Sequence, residues 1–252
     1  MKNKESLISI VVTYYKKKKF IKKTLNSILR QNYNKFEIIF VYDDNDKKDL
    51  KYIKDILKPF KTKKLIINSN NLGVANSRNL AIKYCKGRYI AFIDSDDLWK
   101  KNKLRHQYNF MKKKSSLFTF TSYDVINEND KIIKSRKVNL DAEYNKLSKS
   151  NFIGLSTVMI DKKLFSKIVF PNLKTQEDFA LWLSLIRAGI KLNHIKKTLS
   201  FWRKTNDSLS SNILYKFRDA FKLFYNYENK NLINSIFSVL VLSYNKIVKE
   251  LK

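Results

Sequence analysis

A mostly parallel α/β sheet flanked by helices, with a helical C-terminal tail, is the fold class this sequence predicts. Three observations predict it. Short runs rich in Val, Ile, Phe and Tyr alternate with helix-period apolar stripes through the first hundred residues. Such alternation is the mark of strands joined by crossover helices. The apolar run Tyr89-Ile90-Ala91-Phe92-Ile93 stops abruptly in Asp94-Ser95-Asp96-Asp97, as a buried strand ending at a site would. The chain has 252 residues, 44% of them hydrophobic, with only four Gly and two Pro, so a full core is available and a loop-built protein is excluded.

The elements follow in order. Leu7–Thr13 is a predicted strand, and Phe20, Ile21, Thr24, Leu25, Ile28 and Leu29 form a helical stripe after it. Phe36–Tyr42 is a second strand, ending in Asp43-Asp44. Leu50, Ile53, Ile56, Leu57 and Phe60 mark a helix stopped near Pro59. A short strand, Leu65–Asn68, leads through Ser69-Asn70-Asn71-Leu72-Gly73 into a helix from Val74 to Cys85. Gly87 then opens the Tyr89–Ile93 strand. In the second half, Leu117–Ile126, Lys131–Val138 and Phe152–Ile160 read as strands, and Glu177–Ala188 as a helix ended by Gly189. Two C-terminal helices close the chain. The last carries Ile233, Ile236, Phe237, Leu240, Tyr244, Ile247, Val248 and Leu251 on one stripe. No repeat or linker divides the chain, so residues 1–212 are expected to form one domain, 1–100 and 101–212 its halves, with 213–252 as a helical extension.

Composition narrows the function. Cys85 is the only cysteine, which excludes intrachain disulfides and cysteine-cluster metal sites and fits a reducing, cytoplasmic setting. His106 and His194 are too few for a histidine-rich zinc centre. No signal-peptide pattern opens the sequence, and its most apolar window, Leu232 to Tyr244, is well short of the ~20 residues a spanning helix needs. The net charge of +30 attracts polyanions: nucleic acid, anionic headgroups or phosphorylated substrates. Part of that excess is a general wealth of Lys, Asn and Ile. The last helix, with its flanking Lys246, Lys249 and Lys252, suits either packing on the domain or peripheral contact at the inner face of the cytoplasmic membrane.

Three carboxylates within four residues repel one another unless a cation sits among them. Hard oxygen ligands of this kind favour magnesium or manganese over zinc. The alternative is a solvated acidic turn in which Asp97 caps the next helix. Ligands of open α/β sheets bind beyond the carboxyl ends of strands, so Asp43-Asp44 and Asp94/Asp96 are expected in one crevice. Glu177-Asp178, at a helix start, forms a third acidic site.

Read whole, the sequence resembles family 2 glycosyltransferases, whose nucleotide-sugar-binding domain has the Rossmann-like GT-A fold. The resemblance rests on Ser9-Ile10-Val11-Val12-Thr13-Tyr14-Tyr15, Phe36 to Asp44, Asn71-Leu72-Gly73-Val74-Ala75-Asn76-Ser77-Arg78-Asn79, Tyr89 to Trp99 and Gln176-Glu177-Asp178, in the family's order. It implies an inverting enzyme that moves a sugar from a UDP-sugar donor to a hydroxyl of a glycan or lipid-linked glycan acceptor in bacterial surface polysaccharide synthesis, with Mn2+ or Mg2+ as cofactor. Thr13 and Tyr15 would hold the uracil, and Asp44 would accept a hydrogen bond from it. Asp43 would be structural. Asp94 would face the ribose or the metal, Ser95 would lie at the nucleotide-sugar, and Asp96 would be a direct metal ligand. Arg78 would neighbour the diphosphate. Asp178 would be the catalytic base, kept ionised by its helix start. Trp182, one turn on, is a sugar platform or core, with core favoured. Phe201-Trp202-Arg203 and Ser208 to Ser211 resemble the segment that closes over the diphosphate, with Arg203 supplying positive charge.

Two departures stand out. Val12 and Lys16 occupy positions where the family often has Pro and Asn, and Asn45-Asp46 replaces the usual Gly-Ser. Two other readings compete. A sugar-phosphate nucleotidyltransferase would want a Gly-rich loop after the first strand, and Thr13-Tyr14-Tyr15-Lys16-Lys17 has no glycine. A basic nucleic-acid-binding protein would want a recognition motif, and the basic residues spread over the whole chain without one. No nucleic-acid partner is therefore expected.

Overall fold

A computed structural model of the chain describes residues 5–138, 142–166, 168–205 and 213–251. Its first half follows the predicted alternation: β1 (Ile8–Tyr14), α1 (Lys18–Leu29), β2 (Phe36–Tyr42), α2 (Lys47–Ile56), β3 (Lys63–Ile67), α3 (Val74–Tyr84) and β4 (Tyr89–Asp94). These four strands pair in parallel in the order β3-β2-β1-β4. β1, β2 and β4 are buried on both sides, whereas β3 forms the more exposed edge, so in the inner strands residues of even and odd number pack on opposite faces. Ile10, Val12 and Tyr14 face α1, α2 and α4 (Lys103–Lys114), while Val11 faces α3 and α6 (Glu177–Arg187). Phe20, Ile21, Leu25 and Ile28 of α1 are all buried, each contributing about 1.5–3 kcal/mol by leaving water.

Beyond β4 the sheet is mixed rather than continuing in parallel. β5 (Leu98–Trp99), β6 (Phe118–Ile126), β7 (Ile132–Arg136), β8 (Met159–Asp161) and β9 (Asn193–Arg203) extend it in the order β4-β8-β6-β9-β5, with β7 beside β6. β8 runs antiparallel to β4 and β6, and β9 runs parallel to β6. The expected strand over Phe152–Ile160 is mostly a turn. Leu155–Thr157 forms a 3-10 turn closed by Thr157 N donating to Gly154 O at 3.0 Å, and only Met159–Asp161 joins the sheet. Side-chain and indole donors explain this. Trp99 Nε1 donates to Ser156 O at 2.7 Å and Gln107 Nε2 to Thr157 O at 3.0 Å, so these carbonyls are satisfied without a ladder.

Two glycines serve close geometry. A Cβ on Gly87 would stand 2.6 Å from the backbone nitrogen of Ser9, so only glycine fits ahead of β4. Gly73, at φ +80°, turns its N–H onto Asp43 Oδ2 at 3.0 Å and starts α3.

The C-terminal helices are α7 (Ile213–Lys222), continued by a π turn over Leu223–Tyr227, and α8 (Leu232–Leu251). α7 packs through Ala220, Leu223 and Phe224, α8 through Val239. The apolar stripe foreseen on the last helix points away from that contact: Ile233 is 77% exposed and Phe237 65%. Packing on the domain therefore uses a different face of α8. The segment Ser208 to Ser211 lies outside the described residues.

Candidate active site

Parallel pairing brings the strand ends together. The register sets Thr13 beside Asp94 and beside Val41, so the C-terminal ends of β1, β2 and β4 share one edge. A cavity opens there between β4, the 154–157 turn, the start of α6 and the end of β9. Arg78, Asp94, Asp97, Ser156, Glu177, Asp178 and Trp202 line it, with Tyr123 and Ser200 behind.

The three clustered carboxylates each have a partner within the chain. Asp94 Oδ1 takes an ion pair from Arg78 at 2.7 Å. Asp96 Oδ2 takes one from Lys17 Nζ at 3.0 Å, and the same ammonium donates to Thr205 Oγ1 at 3.1 Å. Asp97 is buried, accepting from Ser156 Oγ at 2.6 Å and from Arg203 N at 2.8 Å. Burial, with Asp96 and Asp94 adjacent, pushes the Asp97 carboxyl well above the usual carboxylate range. Asp97 therefore caps no helix. The repulsion that seemed to demand a metal is offset by the Lys17 and Arg78 ion pairs. Among the described residues no group of three or more His, Cys, Asp or Glu stands close enough to hold a metal ion.

Arg78 is the centre of a buried triad. It is 3% exposed, sits over the Phe170 ring and bonds Asp94 and, through its other nitrogen, Glu177 Oε1. It lines the cavity as expected of a diphosphate neighbour, but both ends of its guanidinium are engaged by carboxylates. Arg203 departs further from expectation. Its Nε donates to Asp96 O at 2.7 Å, its Nη1 to Asn127 O at 2.8 Å and pairs with Asp130 at 2.6 Å, over the Phe20 ring. With its side chain fully buried, it braces β9 against the acidic turn instead of facing the diphosphate.

Asp178 sits on the first turn of α6, half-buried, with Oδ1 accepting from Phe179 N at 2.6 Å. Burial and neighbouring Glu177 push its carboxyl up to about 8, against the opposing pull of Arg78 and the Phe179 N–H. The helix start alone does not keep it ionised, contrary to expectation: desolvation beside a second carboxylate outweighs the end of a helix dipole. The turn ahead of it is fixed from α7. Asp219 accepts from Thr175 N at 2.9 Å and from Thr175 Oγ1 at 3.1 Å, and Gln176, at φ 64°, donates through Nε2 to Lys216 O at 3.0 Å.

The end of β1 is more open. Thr13 is half-buried at the end of β1, and Tyr15 is 38% exposed beside Lys16. Asp44 is nearly buried, and both its oxygens hold backbone: Lys16 N at 3.0 Å and Asn45 N at 2.8 Å. Asp43 is structural, as expected, bonding Asn68, Leu72 and Gly73. Ser95 is buried and offers its carbonyl to Thr24 Oγ1 at 3.1 Å. Trp182 is core, packed edge-on to Phe118 and Phe170.

Sequence reading missed Lys17, Ser156 and Asp219. Lys17 was concealed in the Lys16–Lys19 run, where composition alone explains lysine. Ser156 and Asp219 lie far from the motifs they serve. Asp219→Ala strips two hydrogen bonds from Thr175, and the expected result is at least a tenfold lower kcat with uridine diphosphate affinity unchanged, since a misplacement of about 1 Å costs on the order of 10²-fold. Parallel titrations and turnover assays check this; equal losses in both would make Asp219 a general structural prop.

The family model described as Glycosyl transferase family 2 matches residues 9–170, more than half of the chain. TuaG of Bacillus subtilis (strain 168), named as a glycosyltransferase of teichuronic acid biosynthesis, is 34% identical over 216 residues, 84% of this chain and 84% of its own. WfgD of Escherichia coli, a UDP-Glc:alpha-D-GlcNAc-diphosphoundecaprenol beta-1,3-glucosyltransferase, is 35% identical over 210 residues, 82% of this chain and 80% of its own. Among solved structures, S. aureus TarS 1-349 in complex with UDP-GlcNAc gives a TM-score of 0.73 at 20% identity, covering 87% of this chain and 65% of that one, a likeness of fold. Motif order, sheet topology and relatives agree: the chain belongs to glycosyl transferase family 2, and it is a glycosyltransferase of the GT-A fold.

Proposed function

We propose that this enzyme transfers a sugar from a UDP-sugar to a hydroxyl of a lipid-linked glycan in bacterial surface polysaccharide synthesis, with inversion at the anomeric carbon. The observation that carries the reading is that Asp178 and the β4-end Asp94 line one cavity, with Arg78 bonding both Asp94 and the adjacent Glu177. The acceptor hydroxyl gives its proton to Asp178, its oxygen bonds to the anomeric carbon, and the bond to the diphosphate oxygen breaks with its electron pair. A single base opposite the leaving group gives inversion. Thr13 and Tyr15 hold the uracil in this reading, and Asp44, by fixing the backbone after β1, shapes that pocket. The lipid-linked acceptor of WfgD supports the acceptor class, and the teichuronic acid role of TuaG supports surface polysaccharide synthesis. Residues 1–100 serve as the nucleotide half, 101–212 as the acceptor half and 213–252 as an extension that braces Asp178.

A divalent ion, magnesium or manganese, fits the donor set to a limited extent. Asp94 and Asp96 each have one carboxylate oxygen outside their ion pairs, hard donors of the right kind. They would hold the ion, which when bound neutralises charge on the departing diphosphate. Asp96→Ala is expected to weaken uridine diphosphate binding in manganese while leaving metal-free binding nearly unchanged; calorimetric titrations with and without manganese decide it. Equal affinity of variant and parent in saturating manganese removes Asp96 from that role.

The overall reading is tested by turnover of a panel of nucleotide sugars, read as released uridine diphosphate, with the product's anomeric configuration followed by NMR. Release from UDP-sugars with inverted product is expected; retention of configuration overturns the mechanism.

A further inference from the structure

The helices after residue 212 present an apolar face that no described residue covers. On α8, Ile233, Phe237, Leu240 and Tyr244 are between 57% and 77% exposed, spaced three to four residues apart so that they share one side. The opposite side, through Ser235 and Val239, meets the rest of the protein. α7 adds Leu214 at 79% and Phe217 at 45% exposed. Such a concentration of large apolar side chains on one helical hairpin marks an interaction surface.

Its charge selects the occupant. Lys216, Arg218, Lys222, Lys230 and Lys246 are the basic residues between 213 and 248, against two acids, Asp219 and Glu228. Both acids are buried, Asp219 under Thr175 and Glu228 bonded to Tyr144 and Arg187. The face offered to solvent is therefore apolar with a positive rim. A second copy would set two such rims together on chains of net charge +30 each, which repel. A negatively charged bilayer surface answers both properties: acyl chains take the apolar stripe and headgroups take the lysines. No helix among the described residues is long and apolar enough to cross a membrane, so the hairpin lies along the surface.

We propose that the α7–α8 hairpin is a docking surface for anionic membranes, and that it seats the acceptor side of the active site there. The second clause follows from the contacts of α7, whose Asp219 and Lys216 hold Thr175 and Gln176, the residues just ahead of Glu177-Asp178. Its purpose rests on the lipid-linked acceptor proposed above, while its observation is independent of catalysis.

Vesicle flotation with the full chain tests it, using phosphatidylcholine vesicles with and without phosphatidylglycerol. The parent should float only with the anionic lipid. Ile233→Ser with Phe237→Ser should weaken binding at least about tenfold, and Lys222→Glu with Lys246→Glu should do likewise in a salt-sensitive way. Circular dichroism and uridine diphosphate binding should match the parent in both variants. Parental vesicle binding by the Ile233/Phe237 variant, or flotation indifferent to lipid charge, overturns the proposal. So does a parent that is dimeric in solution and becomes monomeric in that variant. A chain that floats with anionic vesicles but binds no uridine diphosphate upholds the surface and refutes the donor reading; the converse refutes the surface alone.

Discussion

Asp178→Asn lowers kcat on the true acceptor by at least ~10²-fold while uridine diphosphate affinity stays within a few-fold of the parent. The amide keeps the shape and can still accept from Phe179 N, now at 2.6 Å from Oδ1, but it cannot take a proton. The pH profile gives a second readout. Because burial and Glu177 push the carboxyl up to about 8, the fraction able to act as base in the free enzyme grows with pH, and kcat/KM should rise until about that value. The Asn variant loses that rising limb. Stability moves the opposite way. The folded carboxyl titrates above its unfolded value near ~3.9, so below that value both states are protonated and burial of the group carries no charge penalty. The penalty grows as pH climbs through the window to about 8 and is full above it. Asp178→Asn should thus gain in Tm relative to the parent as pH rises through that window. Near-parental turnover of the variant would place the base elsewhere and end this mechanism.

Arg78→Met is expected to destabilise the fold by about 3–5 kcal/mol, because it leaves Glu177 and Asp94 with no counter-ion at the edge of the core. Methionine keeps the apolar stem against Phe170, so the loss reports charge rather than volume. In a domain of this size that corresponds to a Tm drop of roughly 6–20 °C. The effect should shrink toward acid pH. Burial already holds the Glu177 carboxyl above its ordinary value and Arg78 pulls it down, so without Arg78 it rises further; the cost vanishes once both states are protonated and is greatest in alkali. Arg78→Met with Glu177→Gln should recover part of the loss, a coupling that a double-mutant cycle measures. If Arg78 served mainly the diphosphate, Tm would barely move and uridine diphosphate affinity alone would fall; thermal scans beside calorimetric titrations separate the two outcomes.

The parallel half of the sheet was legible because β1, β2 and β4 are buried on both faces and read as mostly apolar runs. β9 was not. Its Lys196-Lys197 and Thr198 sit where the ladder to β6 shifts register, so no alternation survives in the residues. The 154–157 turn misled for the reverse reason. The flanking Phe152, Ile153, Val158 and Ile160 are strand formers, but the carbonyls of Ser156 and Thr157 are taken by Trp99, Gln107 and Ser200 from three other elements.

Sequence by itself determined the order of the motifs, and with it the family, the GT-A sheet and the meeting of Asp94 with the β1 end, since parallel pairing aligns strand ends wherever the helices between them are long enough to cross back. Only the tertiary structure decided what each charge does. Arg78 and Arg203 look alike in a sequence, yet one completes the cavity wall and the other is buried against the backbone carbonyls of Asp96 and Asn127. Lys17 is indistinguishable from its three lysine neighbours until folding puts it 3.0 Å from Asp96. The reason is physical. Apolar burial depends on local pattern and can be read along the chain, whereas the state of an ionisable group depends on distance and water exclusion among residues far apart in sequence.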